Sequence, residues 1–271
     1  MRREGGVFRW GLRIFGVGYV GLLVGVPVGS VVYRALAPGF SSAWGSVTTP
    51  AGVHALVLTL EEGALAVACN TVFGVGIALV LARHRFRGAA VLETLVDLPL
   101  SISPVVVGLA LLLCYSSTEG WIGPWLATHG VHVLFAFPGI VMAAAFVSLP
   151  YVVREVTPVL VELGDEQEQA AATLGAGPWR VFWQITLPSV RWGVAYGVLL
   201  TTARVLGEFG AVSVVSGNII GHTQTLTQFV DDDLTNFDPA GAYAGALLLG
   251  IISMMVLAAL SFSRSKERRS T

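Results

Sequence analysis

The chain has 271 residues and a formal net charge of −1; 54% of its residues are hydrophobic, 12% are charged, and mean hydropathy is +0.74. A soluble domain carries about 25% charged residues, so the composition argues against one and points to an all-α polytopic membrane protein. The charge balance makes no case for a nucleic-acid partner, and the lone lysine, Lys266, lies outside any Gly-Lys-Ser/Thr run, so the chain cannot form an ATP-binding P-loop by itself.

Six apolar runs are long enough to cross about 30 Å of hydrocarbon, which takes about 20 helical residues. They cover 12–36, 56–82, 98–116, 132–153, 192–215 and 240–262. The first is too long for a signal peptide and no small-residue cleavage site follows it, so it reads as a retained anchor. On the second, Asn70 and Gly74 suit close helix contact. Glu61 and Glu62, near its outer end, are expected as solvated helix-end charges, with an ion site as the alternative. The third is interrupted at its start by Pro99 and Pro104, and Asp97-Leu98-Pro99 reads as its N-terminal turn. Asp238 and Pro239 read as the N-cap and first helical residue of the sixth. The expected division is 1–55 (N-terminal segment, first span and outer loop), 56–262 (a core of five spans) and a short basic tail, 263–271, too short to fold. Cys69 and Cys114 fall in separate apolar runs and read as small core residues, not a disulfide.

Arginine placement predicts the orientation. Arg2, Arg3, Arg9 and Arg13 precede the first span, and Arg83, Arg85 and Arg87 follow the second. Arg154, Arg180 and Arg191 lie in or beside the segment after the fourth, and Arg264, Lys266, Arg268 and Arg269 close the chain. The alternate loops, 37–55, 117–131 and 216–239, contain no Lys or Arg. Because basic residues stay on the cytoplasmic side, both termini and the 155–190 segment are expected there. Trp121 and Trp125 are candidate interface anchors of an outer loop.

The 155–190 segment is a polar interruption with helical signals. Asp165 followed by Glu168 reads as a capping box, and Gly175 and Gly177 suit a helix end. Pro178 suits the first turn of a second helix, Trp179 to Leu187, which Pro188 is expected to end. Small residues on one short helix and aromatics on the other fit a partner's groove; the alternative is an interfacial loop with its aromatics at headgroup level.

Arg204 and Glu208 are four apart in the fifth run and so share a helical face. Arg204 lies about 18 Å past Trp192, near mid-membrane. The pair costs about 5–7 kcal/mol to insert, against about 3–6 kcal/mol returned by the Val, Leu and Phe residues around it. Each charge must therefore answer the other, or face water. One reading is an internal ion pair that fixes packing; the other is a lining of a substrate path in which Arg204 meets an anion. Asp231-Asp232-Asp233 reads as a solvated external face. His129 and His132 have no third partner for a metal, and no Ser–His–Asp or Cys–His arrangement is legible.

Two motifs carry a family resemblance. Glu168-Gln169-Ala170-Ala171-Ala172-Thr173-Leu174-Gly175, followed by Ile185-Thr186-Leu187-Pro188, resembles the "EAA loop" of ABC-importer permeases, with Ala170, Ala171, Gly175, Ile185, Leu187 and Pro188 in register. Gln169 stands where that pattern has Glu, and Glu168 precedes it. The run from Thr201 to Asn218, with Ala203-Arg204-Val205-Leu206-Gly207-Glu208-Phe209-Gly210-Ala211-Val212-Ser213-Val214-Val215-Ser216-Gly217, is similar to W-type permease subunits of sulfate/thiosulfate ABC importers. Gly221-His222-Thr223-Gln224-Thr225-Leu226 continues the match, and Thr227 departs where the family usually has Pro. Leu98 to Leu109 matches more loosely, in a form shared with molybdate permeases.

The resemblance implies a type I importer permease fold of about six transmembrane helices with a cytoplasmic helix–turn–helix coupling loop. It implies no cofactor and no enzymatic activity of the chain's own. An ABC ATPase dimer would dock on the loop through Glu168, Gln169, Ala170, Ala171 and Gly175. A second, T-type permease would complete the path in a bacterial cell membrane, and an extracytoplasmic sulfate-binding protein would deliver the anion. Arg204, Glu208, Ser213 and Ser216 are candidates for the path, with Thr202 beside them. A molybdate or tungstate permease changes only the cargo; an ion-coupled secondary transporter is the reading of another class, with Arg204 and Glu208 as its relay.

Overall fold

A computed structural model describes residues 4–267. Arg2, Arg3, Arg268 and Arg269 of the orientation argument lie outside the described residues. Among the described residues the regular secondary structure is all helical, with no strand. Six stretches match the six apolar runs, but only four are single long helices.

The first stretch joins α1 (Glu4–Val20) to α2 (Val26–Leu36) through a π-helical turn, Gly21–Gly25. Then come the short α3 (Phe40–Val47) and α4 (Pro50–Arg83), whose first turn is capped by the Thr49 hydroxyl accepting from Gly52 N. The third run, 98–116, is not one straight helix. It is two helices, α5 (Ala89–Ser101) and α6 (Pro104–Tyr115), bent by 114°. Pro104 is the cause: the residue before a proline is driven out of the helical region, and Ser103 sits at ψ 135°. Asp97 consequently lies deep in α5, not in a first turn, and Pro99 is tolerated inside that helix.

After the short α7 (Gly123–Thr128) comes α8 (Phe137–Leu163), which reaches ten residues beyond the expected end of the fourth span. Next are α9 (Glu166–Thr173) and α10 (Pro178–Val181), a second π-helical turn at Phe182–Thr186, and α11 (Leu187–Leu206). Pro188 does not end the helix. The π turn pairs Leu187 N with Phe182 O, so the proline enters where the regular ladder is already interrupted and its missing N–H orphans little. Pro27 follows the first π turn at the same offset. The fifth run then breaks at 207–209 into α12 (Gly210–Ser216), bent by 59°. The α13 helix (Leu226–Thr235) leads to α14 (Pro239–Glu267), which opens as expected with Asp238 Oδ1 accepting from Ala240 N and Gly241 N. The backbone of 263–267 continues α14 beyond the expected end of the sixth span.

The core is the packing of α4, α8 and α11. Asn70 Nδ2 donates to Ala145 O at 2.9 Å and to Ser148 Oγ at 2.8 Å, joining α4 to α8 in the way its sequence position suggests. Val152 of α8 is fully buried between two glycines. A Cβ on Gly74 of α4 would stand 2.8 Å from the Val152 Cβ, and one on Gly197 of α11 would stand 2.9 Å from its Cα. The α6–α12 crossing is equally close, with Gly108 against Ala211 O. Small residues let helix backbones approach without a strong hydrophobic drive. Cys69 and Cys114 are free thiols that line one apolar groove between α4, α6 and α8.

Candidate functional site

Two polar regions stand out, one at each end of the α4–α8–α11 core. At the first, α8 stops at Gly164 (φ +65°) and α9 at Gly175 (φ +85°), both left-handed conformations that glycine adopts freely. Gly177 is extended, so it does not share that role. The expected capping box is absent: Asp165 makes no side-chain cap bond. Glu168 is turned inward instead. Arg83 of α4 donates through Nε to Glu168 Oε2 at 3.0 Å and through Nη2 to Oε1 at 3.2 Å. The same guanidinium donates to Leu160 O at 2.8 Å and Gly164 O at 2.7 Å, and the Thr186 hydroxyl donates to Glu168 Oε1 at 2.8 Å.

One arginine thus ties the end of α8, the turn after it and α9 to the end of α4, while Glu168 reaches on to Thr186 in the π-helical turn before α11. Charge-assisted, forked bonds of this kind are the strong, direction-setting ones. Arg83 was missed as a site residue in the sequence because membrane-side rules alone accounted for a basic residue there; its partner lies 85 positions away. Gln169, Ala170 and Gly175 are exposed and Ala171 is half-buried. Leu174, Trp179 and Trp183 are strongly exposed beside them, and Phe182 packs edge-on between the two tryptophans. A rigidly held hairpin with small residues and uncovered aromatics results.

The second region is the break in α11. Glu208 lies beyond the helix end, so it is not the same-face neighbour that a continuous helix would give. Its Oε2 still sits 2.6 Å from Arg204 Nη1, close but without hydrogen-bond alignment. Its Oε1 accepts from Ala211 N at 2.8 Å and so caps α12, and its carbonyl accepts from the Thr227 hydroxyl at 3.0 Å. Because α11 is continuous from Leu187, Arg204 stands about 27 Å along the axis from Thr186, nearer the end of the core opposite the α9 hairpin than its middle. The Glu208 side chain is 2% exposed and that of Arg204 28%, so the pair presents its cation outward.

Ser213 donates within α12 to Gly210 O and is half-buried. Ser216 is fully buried; its hydroxyl accepts from Gln228 Nε2 at 2.6 Å and Asn218 N at 3.1 Å. Thr202 donates back to Val198 O. Thr225 and Gln228 form a capping box at α13, and Leu226 N donates to Thr59 Oγ1 on α4. Two expectations about acids change here. Glu61 is exposed, but Glu62 is not solvated: it is 1% exposed, and the adjoining Gly63 lies against Val205 of α11. Asp97 forms a two-pronged ion pair with Arg154 of α8, both bonds 2.9 Å. No cluster of three His, Cys, Asp or Glu able to hold a metal occurs among the described residues.

Residues 72–266 match the family described as "Binding-protein-dependent transport system inner membrane component". The chain belongs to this family. Within these inner membrane components it is 47% identical over 239 residues to the "Sulfate transport system permease protein CysW" of Synechococcus elongatus, covering 88% of this chain and 83% of that one. Identity is 39% to the protein of the same name in Escherichia coli K12 (92% and 86% covered) and 37% to "Sulfate transport system permease protein CysT" of that organism (93% and 90%). The fold is that of a chain in a solved bacterial ABC transporter involved in the import of the acidic polysaccharide alginate. The TM-score is 0.80 at 16% identity, covering 99% of this chain and 97% of that one. The chain is therefore a membrane transport component with the type I importer fold, and not itself a catalytic subunit.

Proposed function

We propose that the chain is the W-type permease subunit of an ATP-driven importer for sulfate or thiosulfate. The observation that carries this is its 47% identity, over most of both chains, to a W-type sulfate permease. The T-type relative at lower identity supports pairing with a second, T-type subunit. The α9 hairpin faces the cytoplasm, as do both termini, in a bacterial cell membrane. There an ABC ATPase dimer grips the face formed by Gln169, Ala170, Ala171 and Gly175. An extracytoplasmic binding protein hands over the anion at the opposite side. A solved structural relative, a bacterial alginate ABC transporter in complex with an alginate-bound periplasmic protein, supports that arrangement. Residues 56–262 form the working core, preceded by an anchor in 1–55 and followed by a basic end at 263–271.

Glu168 acts in coupling through Arg83 and not by touching the ATPase: it holds the hairpin so that motion of the gripped face moves α4, α8 and α11 together. In the path, Arg204 offers a half-buried cation and Ser213 a hydroxyl, while Glu208 pairs with Arg204 from behind and Ser216 ties the end of α12 to Gln228. A guanidinium already half-answered by Glu208 attracts a dianion without trapping it, which suits conduction. The test is uptake of radiolabelled sulfate by cells that depend on this chain. Excess thiosulfate is expected to compete and trace molybdate is not; block by trace molybdate overturns the cargo. Arg204→Gln is expected to abolish uptake with membrane level and ATP turnover retained, and normal uptake removes Arg204 from the path.

A further inference from the structure

The break in α11 holds one acid too many. Glu208 has three partners: Arg204, Ala211 N at Oε1 and the Thr227 hydroxyl at its carbonyl. Glu62 of α4 lies close enough to feel the Glu208 charge, is 1% exposed, and its buried Oε2 has no hydrogen-bond partner. It sits one turn past Thr59, whose hydroxyl binds Leu226 N, and next to Gly63, which packs on Val205. Thr201, also buried, has an unpartnered hydroxyl on the same length of α11.

The charged neighbours can be enumerated. The α11 break supplies Arg204 and Glu208; α3 has no ionisable residue. On α8, Arg154, Glu155 and Glu162 lie toward the hairpin end. The acids of α13, Asp231 to Asp233, begin five residues beyond Leu226, and on α4 itself Glu61 is exposed and His54 is two turns away. The one guanidinium is paired with Glu208, and Glu62 lies beside that carboxylate with no cation of its own. An unpaired carboxylate out of water in a membrane-spanning helix is costly, and coupled acids hold protons as a pair.

We propose that Glu62 is a proton-binding site, so that Glu62, Glu208 and Arg204 together carry no net charge, and that loss of this proton closes the path to anions by placing a second negative charge beside Glu208. No bond is made or broken except O–H at the carboxyl, and the proton exchanges with water. The inference of the site is independent of the cargo; its effect on uptake rests on the proposed function above.

The experiment uses the purified complex in lipid. Infrared spectra in H2O and D2O at neutral pH are expected to contain a deuterium-sensitive protonated-carboxyl band that is lost in Glu62→Gln. In proteoliposomes, sulfate uptake by the parent is expected to fall as pH rises. Glu62→Gln, which mimics the neutral acid, is expected to keep uptake and to lose that fall. A parent spectrum with no such band overturns the site whether or not the variant assembles. A band that survives in Glu62→Gln also overturns it, as does uptake that follows Na+ instead of pH. A lost band with an unchanged pH profile keeps the proton and removes its link to transport.

Discussion

Single atoms decide much of this core. The Val152 side chain fills the space left by Gly74, so Gly74→Ala inserts a methyl where none fits and is expected to cost about 1–3 kcal/mol. Val152→Ala makes room, and the double variant is expected to recover part of that loss, because residues in contact do not act additively. Thermal unfolding of the complex in detergent reads both. A second residue-scale effect concerns α13, outside the apolar spans. Burial first, then the neighbouring Asp238 and Asp232 carboxylates, raises Asp233 above the usual carboxylate range. The folded chain therefore holds this proton more readily than the unfolded one. Its contribution favours folding fully below the unfolded value and is lost as pH rises through the raised folded value. Asp233→Asn is expected to unfold at a higher temperature than the parent at neutral pH and at the same temperature below about pH 4.

At the scale of elements, the Arg83–Glu168 clamp determines whether the hairpin is a rigid handle. Arg83→Gln keeps a polar side chain but forfeits the fork and the charge. It is expected to leave assembly and basal ATP hydrolysis intact while sulfate carried per ATP hydrolysed falls several-fold; an unchanged ratio shows that the clamp does not transmit motion. The sequence made the hairpin legible, since small residues, Gly175 and Pro178 are local signals. It did not make the clamp legible, because Arg83 and Glu168 meet only when α4 and α8 pack. The same distinction runs through the helices. Hydropathy located six apolar runs because membrane burial is a property of each segment alone. Pro104 marks the bend at Ser103 in the sequence itself, whereas the break at Gly207, where Glu208 caps Ala211 N, and the passage of the helix through Pro188, made by a π turn, do not follow from hydropathy. Glu62 was misjudged for this reason: its position on α4 suggested solvent, and only its burial in the folded chain shows otherwise.

Across the whole molecule, the clamped hairpin and the Arg204 break lie at opposite ends of one continuous helix, α11, locked to α4 and α8 by glycine contacts. On the proposed function, this strut carries movement from the gripped end to the Arg204 break. The account thus stands on ATP-driven transport in which this chain is the coupled, non-hydrolysing partner. The most direct measurement is radiolabelled sulfate uptake into proteoliposomes that hold the complete complex, with the sulfate-binding protein outside and ATP enclosed. The account predicts uptake that requires both and that stops when the ATPase subunit is left out; sulfate entry without the ATPase or without ATP would contradict it.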